Sequence, residues 1–349
     1  MEVPDIATTQ ELTLFLLRRI LSSIFAIIGV FVIVFLVSHA LSPDPARLWA
    51  GPKARSSTIY AVEVRYHLNQ PYPIQFYYFI KDYLTGNLGV DPVTGKSIAS
   101  EIAYYLPNTL ELVLASLVVI VVVGVFLGYV SAVNFGGYRD AAIRVFYLAS
   151  WATPTYLGAI LAVLGFATYL RLFPSGGMYS PTLTPPPHVT GIFILDSLIA
   201  GDWADFASGV YHLTLPALTL AFLNFGIITR VARSSMLEAK WSPHVKQAAA
   251  KGLPTTTIRV RHVLRNGLID VNTLGAVMFG WLLGGTVVVE QIFAWPGIGQ
   301  FAYSAIASDN YPVLIPVVLV FTVGVILANL VADILYSVLD PRIRLGGGR

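Results

Sequence analysis

EAKWSPHVKQAAAKGLPTTTIRVRHVLRNGL, residues 238–268, is a basic polar stretch set between two apolar runs, Leu213 to Val231 and Leu274 to Phe293. Pro243 suits the first turn of a short helix, His244 to Lys251 is mostly good helix former, and Gly252 with Pro254 supplies a stop. A second helical pattern runs from Thr256 into the next apolar run, with Arg259, Arg261 and Arg265 beside Ile258, Val260, Val263 and Leu264. The spacing predicts a helix, a sharp turn and a second helix between two membrane crossings. The residues by themselves leave two readings open: a solvated loop that obeys the positive-inside bias, or a docking element for a soluble partner.

The whole chain supports a membrane setting. It has 349 residues, 56% hydrophobic and 12% charged, with a mean hydropathy of +0.70, where soluble domains carry about 25% charged residues. A net charge of +3 gives little reason to expect a nucleic-acid partner, since the basic residues cluster beside apolar runs. There is no cysteine, which excludes disulfides, thiolate metal sites and a cysteine nucleophile. The six histidines are scattered and form no HExxH pair.

A bilayer core takes about 20 apolar residues per helix. Six runs qualify: Ile20 to Leu41, Thr109 to Val133, Ile143 to Leu170, Leu213 to Val231, Leu274 to Phe293 and Val313 to Leu339. The first is too long for a signal-peptide core and lacks a small-residue cleavage site, so it reads as a retained span. With the N-terminus inside the cell, 15 of the 22 Lys and Arg face the cytoplasm, among them Arg18, Arg19, Arg139, Arg144, Arg230, Arg233, Arg342, Arg344 and Arg349. The other seven, including Arg47, Lys53 and Arg171, fall outside. Both termini are therefore expected in the cytoplasm of a multi-pass plasma-membrane protein.

Three units follow: residues 1–41 as the N-terminal segment and first span, 42–106 as an extracytoplasmic region, and 107–349 as a five-helix core holding the loop 236–268. The stretch NQPYPIQFYYFIKDYLTGNLG predicts short amphipathic helices at the membrane surface, and the prolines between Phe173 and Tyr211 predict irregular backbone there. Gly124 with Gly128 and Gly280 with Gly284 have the spacing of close helix contacts, read as packing within one subunit. GVDPVTGKS at 89–97 fails as a phosphate loop, because five residues separate Gly89 from Gly95 where the motif needs four.

The 238–268 stretch resembles the EAA loop of ABC importer permeases. Lys246, Gln247 and Ala248 stand at the EAA positions, Gly252 at the glycine, and His262 and Leu264 at the positions of the I and L that follow. HVKQAAAKGL and RHVLRNGLID are similar to the dipeptide, oligopeptide and nickel branch. So are LLRRIL at 16–21, YLPNTLELVLASLVV, HLTLPALTLAF, GGTVVVEQIFAWPGIGQ and DPRIR at 340–344. Pro243, His244 and Asp270 depart from that branch, where acidic, tyrosine and proline residues are usual.

The resemblance implies an all-α permease fold with six transmembrane helices. It also implies a second homologous permease, two ATP-binding subunits and an extracytoplasmic substrate-binding protein. The chain is then expected to be non-catalytic and to hold no cofactor of its own, ATP and Mg²⁺ being bound by the partner subunits. Lys246, Gln247, Ala248, Lys251, Gly252 and Leu253 would form the ATPase-coupling element, Gly252 by permitting a tight turn and Ala248 by permitting close approach. Peptides are the expected cargo, with oligosaccharides or nickel as alternatives.

Ionisable groups at membrane depth invite a functional reading. Glu290 suits acceptance of backbone amides from the FAWPGIGQ turn more than contact with cargo, and Asp333 suits pairing with an Arg or Tyr on another helix. Asp270, near the cytoplasmic end, is a candidate for a polar gate lining, and Asn224, Thr229, Asn272 and Thr273 are candidates to line the pathway, with a bond to the helix backbone as the alternative for each of these four. A secondary transporter would be expected to show inverted repeats and interrupted helices, and a membrane-embedded hydrolase would need a nucleophile or metal set that is missing.

Overall fold

Backbone surrounded by lipid must satisfy its own hydrogen bonds, so apolar runs of this length fold as helices. The computed structural model describes residues 9–40, 44–51 and 54–339. Among these residues the fold is all-α, and the only β pairing is an isolated bridge between Val90 and Ser97. Lys53, Arg342, Arg344, Arg349 and the DPRIR motif lie outside the described residues.

The first crossing is α1 (Thr9–Ala40). Three short helices follow, α2 (Pro45–Ala50), α3 (Ser56–Arg65) and α4 (Tyr72–Leu84). Phe79 of α4 and Trp49 of α2 pack on Phe31 and Phe35 of α1, so this region caps helix ends as well as presenting aromatic side chains. The second crossing, α5 (Ile98–Val133), runs unbroken through the boundary drawn at 106, with Pro107 inside it. In GVDPVTGKS the buried Asp91 accepts bonds from Val93 N at 2.8 Å and Asn310 Nδ2 at 2.8 Å, fixing that loop against the start of the last helix.

The third crossing is bent. α6 (Tyr138–Ala152) and α7 (Thr155–Ala162), which continues as π-helical turns through Val163–Tyr169, meet at 103°. The expected continuous helix from Ile143 to Leu170 breaks at Thr153 and Pro154, because proline lacks an amide and drives its predecessor out of the helical region. The described chain therefore has five continuous crossings, and six when this bent pair is counted as one.

The expectation of irregular backbone from Phe173 to Tyr211 is only half right. Residues 170–192 are irregular, but α8 (Phe193–Ala200) and the start of α9 (Trp203–Trp241) fall inside that stretch. Gly201 takes the left-handed conformation after α8, and the Asp202 side chain accepts from the amides of Ala204 and Asp205 to cap α9. Beyond α9 lies the short α10 (Pro243–Ala250). Then α11 (Thr255–Thr257), a π-helical stretch (Ile258–Leu264) and α12 (Arg265–Gly285) run on as one helix. This crossing ends at Gly285 rather than Phe293, since paired glycines are weak helix formers. α13 (Val287–Ile292) and α14 (Ile298–Ala307) precede the last crossing, α15 (Tyr311–Leu339).

The central contact is α5 on α9. A Cβ on Gly124 would lie 2.5 Å from Ile228 Cγ2, and one on Gly128 would lie 2.6 Å from Ala232 Cβ. Glycine is thus needed at both positions for the helices to approach. Gly280 is pressed against Asn329 of α15, whereas Gly284 faces open space. Arg19 of α1 pairs with Asp333 of α15 at 2.9 Å, the kind of partner expected for that acid.

Asp196 orders the irregular segment before α8. One carboxylate oxygen accepts from Thr190 N at 2.7 Å and Thr190 Oγ1 at 2.6 Å, the other from Gly191 N at 3.0 Å and Val189 N at 3.2 Å. Burial pushes this carboxyl up, but those bonds outweigh burial and hold it below the usual carboxylate range. A lowered folded-state pKa stabilises the segment fully above the unfolded value of about 3.9 and progressively less as pH falls through the folded value. The protection of the Val189 to Gly191 amides, measured against their intrinsic exchange rates, should therefore be high at pH 6 and fall below about pH 4. Asp196→Asn should show low protection at both; equal protection in the two proteins would refute the assignment.

Candidate functional site

α9 carries the chain out of the bundle and into α10. Ser242 leaves the helical region (φ −66°, ψ 152°), and Pro243 takes the first helical position, where a missing amide costs nothing. Val245 and Ala248, three apart on one face, are buried, while Lys246, Gln247, Ala249 and Ala250 are exposed. Val245 joins Met236, Ala239 and Val263 in one apolar cluster, so α10 is seated on its own chain. Ala248, expected to admit a partner, lies on this inner face.

The turn after α10 is a Schellman motif. Gly252 N donates to Ala249 O at 3.0 Å and Leu253 N to Ala248 O at 3.3 Å, with Gly252 at φ +76°. A Cβ there would meet nothing within 4 Å, so glycine is required by backbone conformation and not by space. Lys251, Gly252 and Leu253 are all exposed. From α12, the Asn266 side chain bonds His244 at 3.1 Å and ties the start of α10 back to the bundle. The result is a short, rigid helix with one face held and the other open.

Above it sits an ion pair that the sequence patterns did not reveal. Asp140 of α6, 1% exposed, accepts from Arg233 Nε of α9 at 2.8 Å and Nη2 at 3.0 Å, from Gly136 N at 3.1 Å and from Ser131 Oγ of α5. Breaking a buried pair by removing one partner leaves an uncompensated charge, so this knot fixes the end of α5 and the start of α6 to α9. Nothing in the local pattern of FGGYRD marks Asp140, because its partner lies 93 residues away.

At the other end of α12, Glu290 is fully buried. It accepts from Thr109 Oγ1 of α5 at 2.8 Å and Gln300 N at 3.0 Å, while Thr109 Oγ1 accepts from Ile298 N at 2.8 Å. Asn108 Nδ2 donates to Pro296 O at 2.7 Å and Trp295 Nε1 to Asn108 O at 2.9 Å. Gly297 and Gly299 close directly on the carboxylate, with no room for side chains. Glu290 thus takes up backbone amides of the expected turn.

The polar pathway candidates do not form one group. Asn224 Nδ2 donates to Leu220 O at 2.8 Å, Thr229 Oγ1 to Phe225 O at 3.0 Å and Thr273 Oγ1 to Ile269 O at 3.2 Å, each within its own helix. Asn272 is exposed. Asp270 accepts from Ser235 Oγ and lines an open cavity of about 530 Å³ with Glu238, His244 and Asn266, adjoining α10. Among the described residues no group of three or more His, Asp or Glu is arranged to hold a metal ion.

Residues 120–345 match the profile of the family described as "Binding-protein-dependent transport system inner membrane component". The chain belongs to this family of inner-membrane permeases. Residues 12–113 match the family's N-terminal component. The permease is thus a multi-pass inner-membrane component of a binding-protein-dependent transport system.

Its relatives align over nearly their whole length. It is 36% identical over 331 residues to the probable D,D-dipeptide transport system permease of Escherichia coli K12, covering 95% of this chain and 97% of that one. It is 35% identical over 328 residues to the dipeptide transport system permease of Alkalihalophilus pseudofirmus, covering 94% and 98%. It is 32% identical over 330 residues to the glutathione transport system permease of E. coli K12, covering 95% and 98%.

Thr109 is the residue of the buried turn that sequence reasoning passed over, although it stands in YLPNTLEL. Its hydroxyl serves an amide and a carboxylate at once, so Thr109→Val leaves the Ile298 amide without its partner and takes one of the donors from Glu290. In the permease this should cost about 1 to 3 kcal/mol of stability, read as a fall in the thermal unfolding midpoint in detergent. Thr273→Val, which loses only a bond within its own helix, is the reference. Equal midpoints for the two variants would show that the Glu290 turn does not depend on Thr109.

Proposed function

We propose that this permease forms half of a peptide-import pathway and that α10 is the element through which separate ATPase subunits drive it. The observation that carries the reading is the seating of α10. Its inner face, Val245 and Ala248, is buried on the bundle, and Lys246, Gln247, Lys251, Gly252 and Leu253 are turned outward. A helix anchored in this way transmits force; a loose loop would absorb it. The concentration of Lys and Arg at this end of the crossings supports its facing the cytoplasm, with both termini on the same side.

In this reading ATP and Mg²⁺ belong to the partner subunits, and the chain contributes no cofactor site. Two ATPases, a second homologous permease and an extracytoplasmic binding protein complete the transporter. Closure of the ATPases on ATP is a two-state rigid-body change, and a helix gripped by one of them biases the crossings between inward-facing and outward-facing arrangements. The peptide assignment is supported by relatives whose names specify D,D-dipeptide, dipeptide and di/tripeptide transport.

Gly252 provides the test. A β-branched residue at φ +76° carries a penalty of about 1 to 2 kcal/mol, whereas asparagine tolerates that conformation better. In the assembled transporter Gly252→Val should insert normally and retain ATP hydrolysis but lose about tenfold of peptide uptake, a factor that 1 to 2 kcal/mol brackets. Gly252→Asn should fall between it and the parent. Uptake unchanged in Gly252→Val would remove the coupling role from α10.

A further inference from the structure

A second cavity, of about 180 Å³, lies behind α10, between it and the ends of the crossings. Ala132 and Val133 of α5, Val245 of α10 and Val263 of the π-helical stretch give it an apolar floor, and Lys240 and Arg259 bring two cations to its lining. No carboxylate lines it, and among the described residues neither cation enters an ion pair. A π-helical turn is wider than an α turn and is frequent at functional sites. Arg259 and Val263, four apart in this stretch, line the same cavity.

The surroundings are those of a membrane boundary. Trp241 is 60% exposed, Val260 57% and Phe135 54%, all near the ends of crossings, and Lys240 Nζ lies 5.4 Å from the Trp241 ring centroid. Exposed aromatic residues beside basic ones mark the headgroup level. A water's share of liquid volume is about 30 Å³, so the cavity takes a group of about six heavy atoms, the size of a phosphate ester. Two cations above an apolar floor complement an anion that is itself joined to hydrocarbon, and basic pockets between crossings bind acidic lipid headgroups.

We propose that this cavity binds the phosphate-bearing end of an anionic phospholipid, which would support α10 from behind. The phosphate would meet Lys240 and Arg259, the adjoining carbons would rest on Val245 and Val263, and the remaining lipid would lie in the bilayer. The binding site stands whether or not α10 engages an ATPase, so its test is separate from that of coupling.

The full-length chain would be equilibrated in micelles holding equal amounts of phosphatidylglycerol and phosphatidylethanolamine, and retained lipid measured by native mass spectrometry. The parent should retain phosphatidylglycerol preferentially. A basic residue near an anionic surface is worth about fivefold in binding, so Lys240→Gln with Arg259→Gln should lower that preference roughly twentyfold. Arg261→Gln, which removes a charge from the same helix outside the cavity, should lower it by no more than about fivefold. All variants would be compared as monodisperse protein. Equal retention of the two lipids by the parent, or undiminished preference in the double variant, would overturn the proposal. Displacement of phosphatidylglycerol by an equal concentration of inorganic phosphate would also overturn it, assigning the cavity to a free anion; failure of phosphate to compete supports the lipid.

Discussion

A peptide group in hydrocarbon has no water to bond, so every departure from regular helix must be repaired by the chain itself. The turn between α13 and α14 is where this requirement acts most strongly. There the backbone reverses through Trp295, Pro296 and Gly297, and the repair is made by side chains from α5: Thr109 on Ile298 N, Asn108 on Pro296 O, with Glu290 held between Thr109 and Gln300 N. A buried carboxylate is costly alone, but one surrounded by donors is a rigid fastening. It joins the chain after α12 to the helix that packs most extensively on α9. The same helix, α5, meets Asp140 and Arg233 through Ser131 at its opposite end. α5 is thus pinned at both ends by buried polar contacts, with glycine-mediated packing between.

That arrangement gives α9 its role. It is a 39-residue helix, longer than a crossing requires, and it runs directly into α10 through a single extended residue, Ser242. Because α9 is clamped by close packing at Gly124 and Gly128 and by the Asp140 pair, a force applied to α10, as the proposed coupling requires, would be delivered to the bundle and not lost in a hinge. The Schellman turn at Gly252 then returns the chain at once into the helix that becomes α12. Both crossings flanking α10 are therefore joined through one short helix.

Much of this was legible from residue order. Apolar runs of about 20 residues located the crossings, and Pro243, Gly252 and Pro254 bounded α10 closely. Asp333 found an arginine, and Glu290 found backbone amides. What escaped did so for identifiable reasons. The 103° bend follows from Pro154, a signal present but submerged in a continuous apolar run. The start of α9 follows from the Asp202 cap, which the many prolines upstream obscured. The Asp140 to Arg233 pair and the bridging hydroxyl of Thr109 depend on residues 93 and 181 positions apart, and no local periodicity reports contacts of that range. The cavity behind α10 draws its lining from α5, α9, α10 and the stretch after Gly252, which no local pattern brings together.

The central claim is that the open face of α10 is cytoplasmic and is covered by an ATPase subunit. The chain contains no cysteine, so Gln247→Cys places a lone thiol on that face. Labelling by a membrane-impermeant maleimide, compared between right-side-out and inverted vesicles of the assembled transporter, reads both parts of the claim. The account requires no labelling in right-side-out vesicles, strong labelling in inverted vesicles stripped of the ATPases, and protection when they are restored. Labelling from the outer side, or equal labelling with and without the ATPases, would contradict it.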